Sequence, residues 1–136
     1  MMKKFGWVIL LFMFLLAGCN KVEEKETNVD ENRDFQIISI EEKTQIITYV
    51  IEQKGFRDNI RLEIDVMDNQ IVNIAVLSHR ETITYFNRIE DANFIENLIQ
   101  ANVIENVDVV SSATKTSQAI KDAVLNTLEF HLKRSE

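Results

Sequence analysis

The chain has 136 residues, with 22 Asp and Glu against 15 Lys and Arg and a formal net charge of −7. That balance argues against nucleic-acid binding, which needs a basic face to neutralise phosphates. The length admits one small domain, and with a single cysteine, Cys19, stability must come from the core.

The amino terminus reads first as a targeting segment. Met1 to Lys4 carry two Lys, Phe5 to Leu16 form an apolar run broken mainly by Gly6, and Leu16-Ala17-Gly18-Cys19 closes it with small residues before a Cys. The run is short of the roughly 20 residues that span a bilayer, which favours a secretory signal over 1–18. Its end is similar to a bacterial lipobox. That likeness implies cleavage before Cys19, lipid on its thiol, and attachment to the bacterial cell membrane on its extracytoplasmic face. An uncleaved anchor, the other reading, would also hold the domain at a membrane. With Cys19 lipidated, no thiol is left for a disulfide, a metal site or cysteine catalysis. Residues 19–34 are acidic and poor in apolar side chains, as expected of a solvated tether, with Glu23-Glu24-Lys25-Glu26 keeping the domain off an anionic surface. Loss of 1–18 removes Lys3 and Lys4 and takes the charge from −7 to −9.

The foldable part is expected over 35–136. Gln45 to Gln53 reads as a strand ending at Gly55, although Ser39 followed by Glu42 also fits a helix capping box and leaves 39–47 open between helix and strand. Ile60, Leu62, Ile64 and Val66 alternate with Arg61, Glu63 and Asp65, the period of a half-buried strand. Asp68-Asn69 makes a tight turn, since both residues tolerate positive φ, and Ile71 to Leu77 returns as the partner strand. His79-Arg80-Glu81-Thr82 follows. Ala92, Ile95, Leu98 and Ile99 then mark a short helix starting at Asp91, and Ile120, Ala123, Val124, Thr127, Leu128 and His131 mark a final one. Strands first and helices second predict an α+β fold: an antiparallel β meander followed by two helices on one side of the sheet. Lone histidines such as His79 and His131 are ordinarily rim residues, or favourable cations near the negative end of a helix. Tyr85 and Phe86 are more often core than ligand-stacking residues. No paired spacing of His, Asp and Glu suggests a metal, and no Ser-His-Asp order has further support.

Between the two helices lies Asp108-Val109-Val110-Ser111-Ser112-Ala113-Thr114-Lys115-Thr116. Its hydroxyls suit the start of the last helix, where a side-chain oxygen accepts from a backbone N–H that has no helical partner. The same place suits a phosphate, because several N–H groups and the positive end of the dipole converge there. The pattern alone leaves both readings open.

The segment resembles the flavinylation motif of bacterial FMN-binding domains: an Asp, two variable residues, Ser or Thr, Gly, Ala, Thr or Ser, a variable residue and Thr. The resemblance makes Asp108 the leading acid, Ala113 the small residue before the attachment point, Thr114 the carrier of FMN and Thr116 the closing hydroxyl. Ser112 stands where the family has Gly, which implies either an ordinary backbone angle or strain at that residue. Tyr49, Gly55-Phe56, the two hairpin strands and His79-Arg80-Glu81-Thr82 follow the family's order upstream. The likeness extends over about residues 45 to 130. It implies that Ser111 to Ser117 hold the phosphate side and that Glu81 and Thr82 lie near the ring, with the flavin motif at the N-terminus of the last helix. The family's Gly-rich continuation after Glu-Thr is replaced here by Ile83-Thr84-Tyr85-Phe86.

The expected function is therefore that of a lipid-anchored FMN carrier with no substrate of its own. It would be loaded at Thr114 by a flavin transferase and exchange electrons with redox partner proteins in the cell envelope. The flavin-bearing subunits of sodium-pumping and ferredoxin-oxidising respiratory complexes, and the lipoproteins of extracellular electron transfer, are similar. The alternative is an interaction lipoprotein that keeps the fold without the flavin.

Overall fold

The computed structural model describes residues 34–136; the signal-like segment at 1–18, Cys19 and the tether up to residue 33 lie outside them. Four strands, β1 (Phe35–Lys43), β2 (Ile46–Lys54), β3 (Asn59–Met67) and β4 (Gln70–Ser78), come first, and α1 (Ile83–Asp91), α2 (Phe94–Gln100), a 3-10 turn at Ile104–Asn106 and α3 (Thr114–Ser135) follow. The strands pair in chain order as one antiparallel sheet. This is the α+β meander that the alternation of apolar residues predicts.

Turn chemistry fixes the hairpins. Thr44 closes β1 onto β2 with φ 54°, and Asp68 and Asn69 close β3 onto β4 with φ 50° and 61°. Asp and Asn reach the left-handed region at low steric cost, so the second turn is where the sequence placed it. The region 39–47, open between helix and strand in the sequence, is strand apart from the turn at Thr44-Gln45: Ser39 lies opposite Val50 and Glu42 opposite Ile47. Pairing along the whole of β2 outweighs the local capping box, and a register shift between Ile37 and Ser39 hides the alternation of β1.

One face of the sheet carries the core. Tyr49, Ile51, Ile60, Leu62 and Ile64 are wholly buried beneath the helices, as are Ile120, Ala123 and Val124 of α3. Each large apolar side chain removed from water contributes about 1.5–3 kcal/mol, before the entropy of ordering the chain is set against it. The other face bears Glu52, Arg61, Glu63, Asp65 and Asn73. Across it Arg61 Nη2 meets Glu52 Oε1 at 2.6 Å, and Thr48 donates to Asp65 Oδ1 at 2.6 Å.

The helices differ in detail from the sequence pattern. Among the described residues there are three α-helices, not two: Ile83–Asp91 is helical, burying Phe86 and Ile89. Its β-branched and aromatic start conceals the helical spacing. The second helix begins at Phe94 after Asn93, which has φ 49°, so Asp91 ends α1 rather than opening α2. Among the described residues no helix is long and apolar enough to cross a membrane.

Candidate functional site

The start of α3 is built by hydroxyls that face inward. Ser117, wholly buried, accepts from the Val110 N–H at 3.0 Å and lies 2.8 Å from the Ala113 carbonyl, to which it donates. One turn further on, Lys121 Nζ donates to the carbonyls of Glu105 and Val107, both at 2.7 Å. Ser117 and Lys121 are spaced i and i+4, on one side of the helix, so together they draw the loop 105–113 onto α3. Sequence reasoning missed Lys121, whose only signal is that spacing.

Thr114 faces the other way. It is the first residue of α3 and exposed, and its hydroxyl donates to the Ser111 carbonyl at 3.0 Å. No side chain caps the helix, and its first turn holds no acidic residue. The first N–H groups of a helix have no carbonyl partner within it, so this end presents donors and positive potential beside an outward hydroxyl. Ser111, Ser112 and Asp108 are exposed, and Ala113 is buried. Ser112 is not among the residues with positive φ, so no left-handed geometry exists there for glycine to relieve.

Thr116 and Glu81 are buried together. The Thr116 hydroxyl donates to Glu81 Oε2 at 2.5 Å, and the Arg57 N–H donates to Glu81 Oε1 at 3.0 Å. A carboxylate this enclosed is tolerable because both oxygens have donors. Gly55 is what lets the carboxylate in: a Cβ at that position would stand 2.6 Å from Glu81 Oε1 and 2.8 Å from the Asp58 carbonyl. It is the only glycine beyond residue 18. The β2–β3 turn, the segment after β4 and the start of α3 thus meet at one carboxylate. Thr82, half-buried, precedes α1, and its carbonyl accepts from Tyr85 and Phe86 N–H at 2.9 and 3.0 Å.

Around this knot lie exposed aromatic and cationic groups. Phe56, between Gly55 and Arg57, is 51% exposed, and Lys115 Nζ lies 5.0 Å from the centroid of its ring. Tyr85 is 43% exposed whereas Phe86 is core, stacked on His79 at 3.8 Å.

A second polar cluster sits at the far end of α3, roughly 30 Å along the helix from Thr114 at 1.5 Å per residue. A cavity of about 220 Å3 there is lined by Glu42, Ile47, Tyr49, His131, Arg134 and Ser135. His131 is buried rather than a rim cation. The Tyr49 hydroxyl lies 2.8 Å from its Nδ1, and Asn69 Oδ1 lies 3.0 Å from its Nε2. The neutral Nε2–H tautomer satisfies both contacts, an assignment made from the hydrogen-bond pattern. Burial and the positive charge of Arg134 hold the imidazole below its ordinary pKa, and burial raises the Tyr49 phenol despite Arg134. Burial alone would lower Arg134, but its bonds to Tyr49 and Glu42 raise it. Among the described residues no group of three or more His, Cys, Asp and Glu could hold a metal ion.

The profile of a protein family described as FMN-binding domain matches residues 55–129, from the Gly55 turn through Glu81 and Thr114 to the penultimate turns of α3. No curated protein sequence matches the chain.

Proposed function

Because the chain belongs to the FMN-binding domain family, we propose that this flavin-binding protein is a membrane-anchored, extracytoplasmic electron carrier whose FMN is esterified through its phosphate to Thr114. The observation that carries the attachment is the exposed Thr114 hydroxyl at an uncapped helix N-terminus free of acidic residues in its first turn. Bound there, FMN would supply the redox chemistry, and the protein's part is to hold and orient it and to set the charge around it.

The residues fit that group. Thr114 offers the ester oxygen: its proton is directed at the Ser111 carbonyl, which leaves the oxygen's lone pairs outward. Loading by a flavin transferase forms one bond, Thr114 Oγ1 to the FMN phosphorus of FAD. It breaks the pyrophosphate bond, so AMP leaves and the hydroxyl proton is lost. Thr116 and Ser117 do not need to touch the ligand, since both hydroxyls are already spent on positioning the segment. The backbone of α3's first turn is left to face the phosphate.

A fold that has shed its flavin would be favoured if Ser112, standing where the family has glycine, strained the backbone. Ser112 adopts no positive φ, so that replacement introduces no backbone strain. Anchoring rests on Cys19, whose replacement by Ala should move the chain from the membrane to the soluble fraction.

The test is the intact mass of the full chain after co-expression with a flavin transferase, magnesium and FAD. The expected gain is FMN less one water, abolished by Thr114→Ala. An unmodified mass with no bound yellow chromophore would refute covalent carriage.

A further inference from the structure

We infer that Lys115, held over the ring of Phe56, is the charge that favours the reduced flavin at this site. The inference rests on the reading of Thr114 as the attachment residue. Lys115 follows Thr114 directly, and its Nζ stands 5.0 Å from the Phe56 centroid.

Phe56 is not loosely placed. Of its neighbours, Gly55 donates its N–H to the Asp58 carbonyl at 2.9 Å and packs close to Glu81, Arg57 donates its N–H to Glu81, and Glu81 is tied in turn to Thr116. One knot therefore positions the aromatic, the attachment residue and the lysine together.

The nature of the partner decides what the ammonium is free to do. An aromatic face attracts a cation through its quadrupole but carries no charge of its own, so Lys115 keeps its full unit charge, which a carboxylate partner would cancel. Arg57, exposed and adjacent to Phe56 on the β2–β3 turn, is a second cation at this end. Arg80 is paired with Asp58 at 3.4 Å, and Glu81 brings negative charge into the same knot. In a chain of net charge −7, or −9 without residues 1–18, the surrounding field disfavours added electrons, and Lys115 opposes that field where the flavin is carried.

The redox step balances simply. Two electrons and one proton, delivered by a reducing partner protein, convert the oxidised ring to its anionic reduced form, which carries one negative charge more. A cation beside the bound ring would stabilise that form and not the oxidised one, so removing the cation would lower the ratio of reduced to oxidised flavin at a fixed ambient potential. Phe56 acts through Lys115 and is a positioning residue.

The experiment uses the full chain in detergent, loaded by a flavin transferase, with loading read first by intact mass and reduction then followed spectroelectrochemically. Lys115→Gln should lower the reduced-to-oxidised ratio roughly five- to tenfold, the scale of one unit charge at close range in exposed, water-like surroundings. Lys115→Arg should restore it, Phe56→Leu should give a smaller fall, and high salt should shrink the differences. A loaded Lys115→Gln chain that titrates like the wild type overturns the inference alone. So does an equal shift from Arg57→Gln, which would point to general surface charge. A Lys115→Gln chain that fails to load would put the ammonium on the phosphate instead. A wild-type chain that takes no flavin would overturn the attachment reading and this inference together.

Discussion

The hydroxyl of Thr116 donates to Glu81 Oε2 across 35 residues of sequence, and both side chains are buried. This one contact joins the segment after β4 to the first turn of α3, and the Arg57 N–H on the other oxygen adds the β2–β3 turn. Thr116→Val keeps the shape but leaves a buried carboxylate oxygen short of a donor. The expected cost is about 1–3 kcal/mol, read as a lower urea midpoint with an unchanged slope. Thr116→Val combined with Glu81→Ala should cost less than the sum of the two, because each removes the other's partner.

Gly55→Ala tests the same knot from its other side. The added Cβ would lie 2.6 Å from Glu81 Oε1, 2.8 Å from the Asp58 carbonyl and 2.9 Å from Ile60 Cδ1. One of those contacts is backbone and the carboxylate is already held by two donors, so relief requires either the turn or Glu81 to move. Overpacking of this kind costs about 1–3 kcal/mol. The expected result is a destabilised domain in which less of the chain accepts flavin at Thr114. Wild-type stability and loading would show that the turn yields freely.

The sheet was legible because alternation over Ile60 to Val66 is strict enough to assign faces and Asp68-Asn69 marks the turn chemically, whereas Ile71 to Leu77 is apolar almost throughout and a register shift brings both Ile71 and Ile74 to the core face. The first strand was not. Its register shift interrupts the alternation, and its capping-box residues satisfy a helical rule that only pairing with β2 overrules. Helix α1 was lost for a similar reason: two buried residues, Phe86 and Ile89, are too few to show a period. At the candidate site the flavin motif pointed to the start of α3, with Thr114 as the attachment point, but it set Thr116 and Ser117 on the phosphate side as well. The inward or outward direction of a hydroxyl depends on helical phase and on partners such as Glu81 and Val110 that are distant in the chain. His131 was misjudged because helix-end position says nothing of the neighbouring Tyr49 and Asn69.

Ser112→Gly would bring the motif to the family's form without improving it. Ser112 has no positive φ, so glycine relieves nothing and instead enlarges the conformational freedom of the unfolded chain. A loss of about 0.4–1 kcal/mol is expected, with flavin loading at Thr114 unchanged by intact mass. A clear rise in loading would show that Ser112 obstructs the site by its side chain.

His131 makes stability depend on pH. Its folded pKa lies below the ordinary 6.5 through burial first and the charge of Arg134 second, while Tyr49, raised by burial, stays neutral throughout. As pH falls through 6.5 the unfolded chain takes up the proton before the folded one does, so the unfolded state binds more protons and stability declines. The contribution is fully present above about pH 7 and is lost progressively down to the folded pKa, below which this residue adds no further slope. Denaturant midpoints at pH 7.5, 6.5 and 5.5 should therefore step downward. His131→Gln, which can still accept from Tyr49 and donate to Asn69, should flatten that step. An equal decline in the variant would assign the loss to the carboxylates and leave His131 without a part in it.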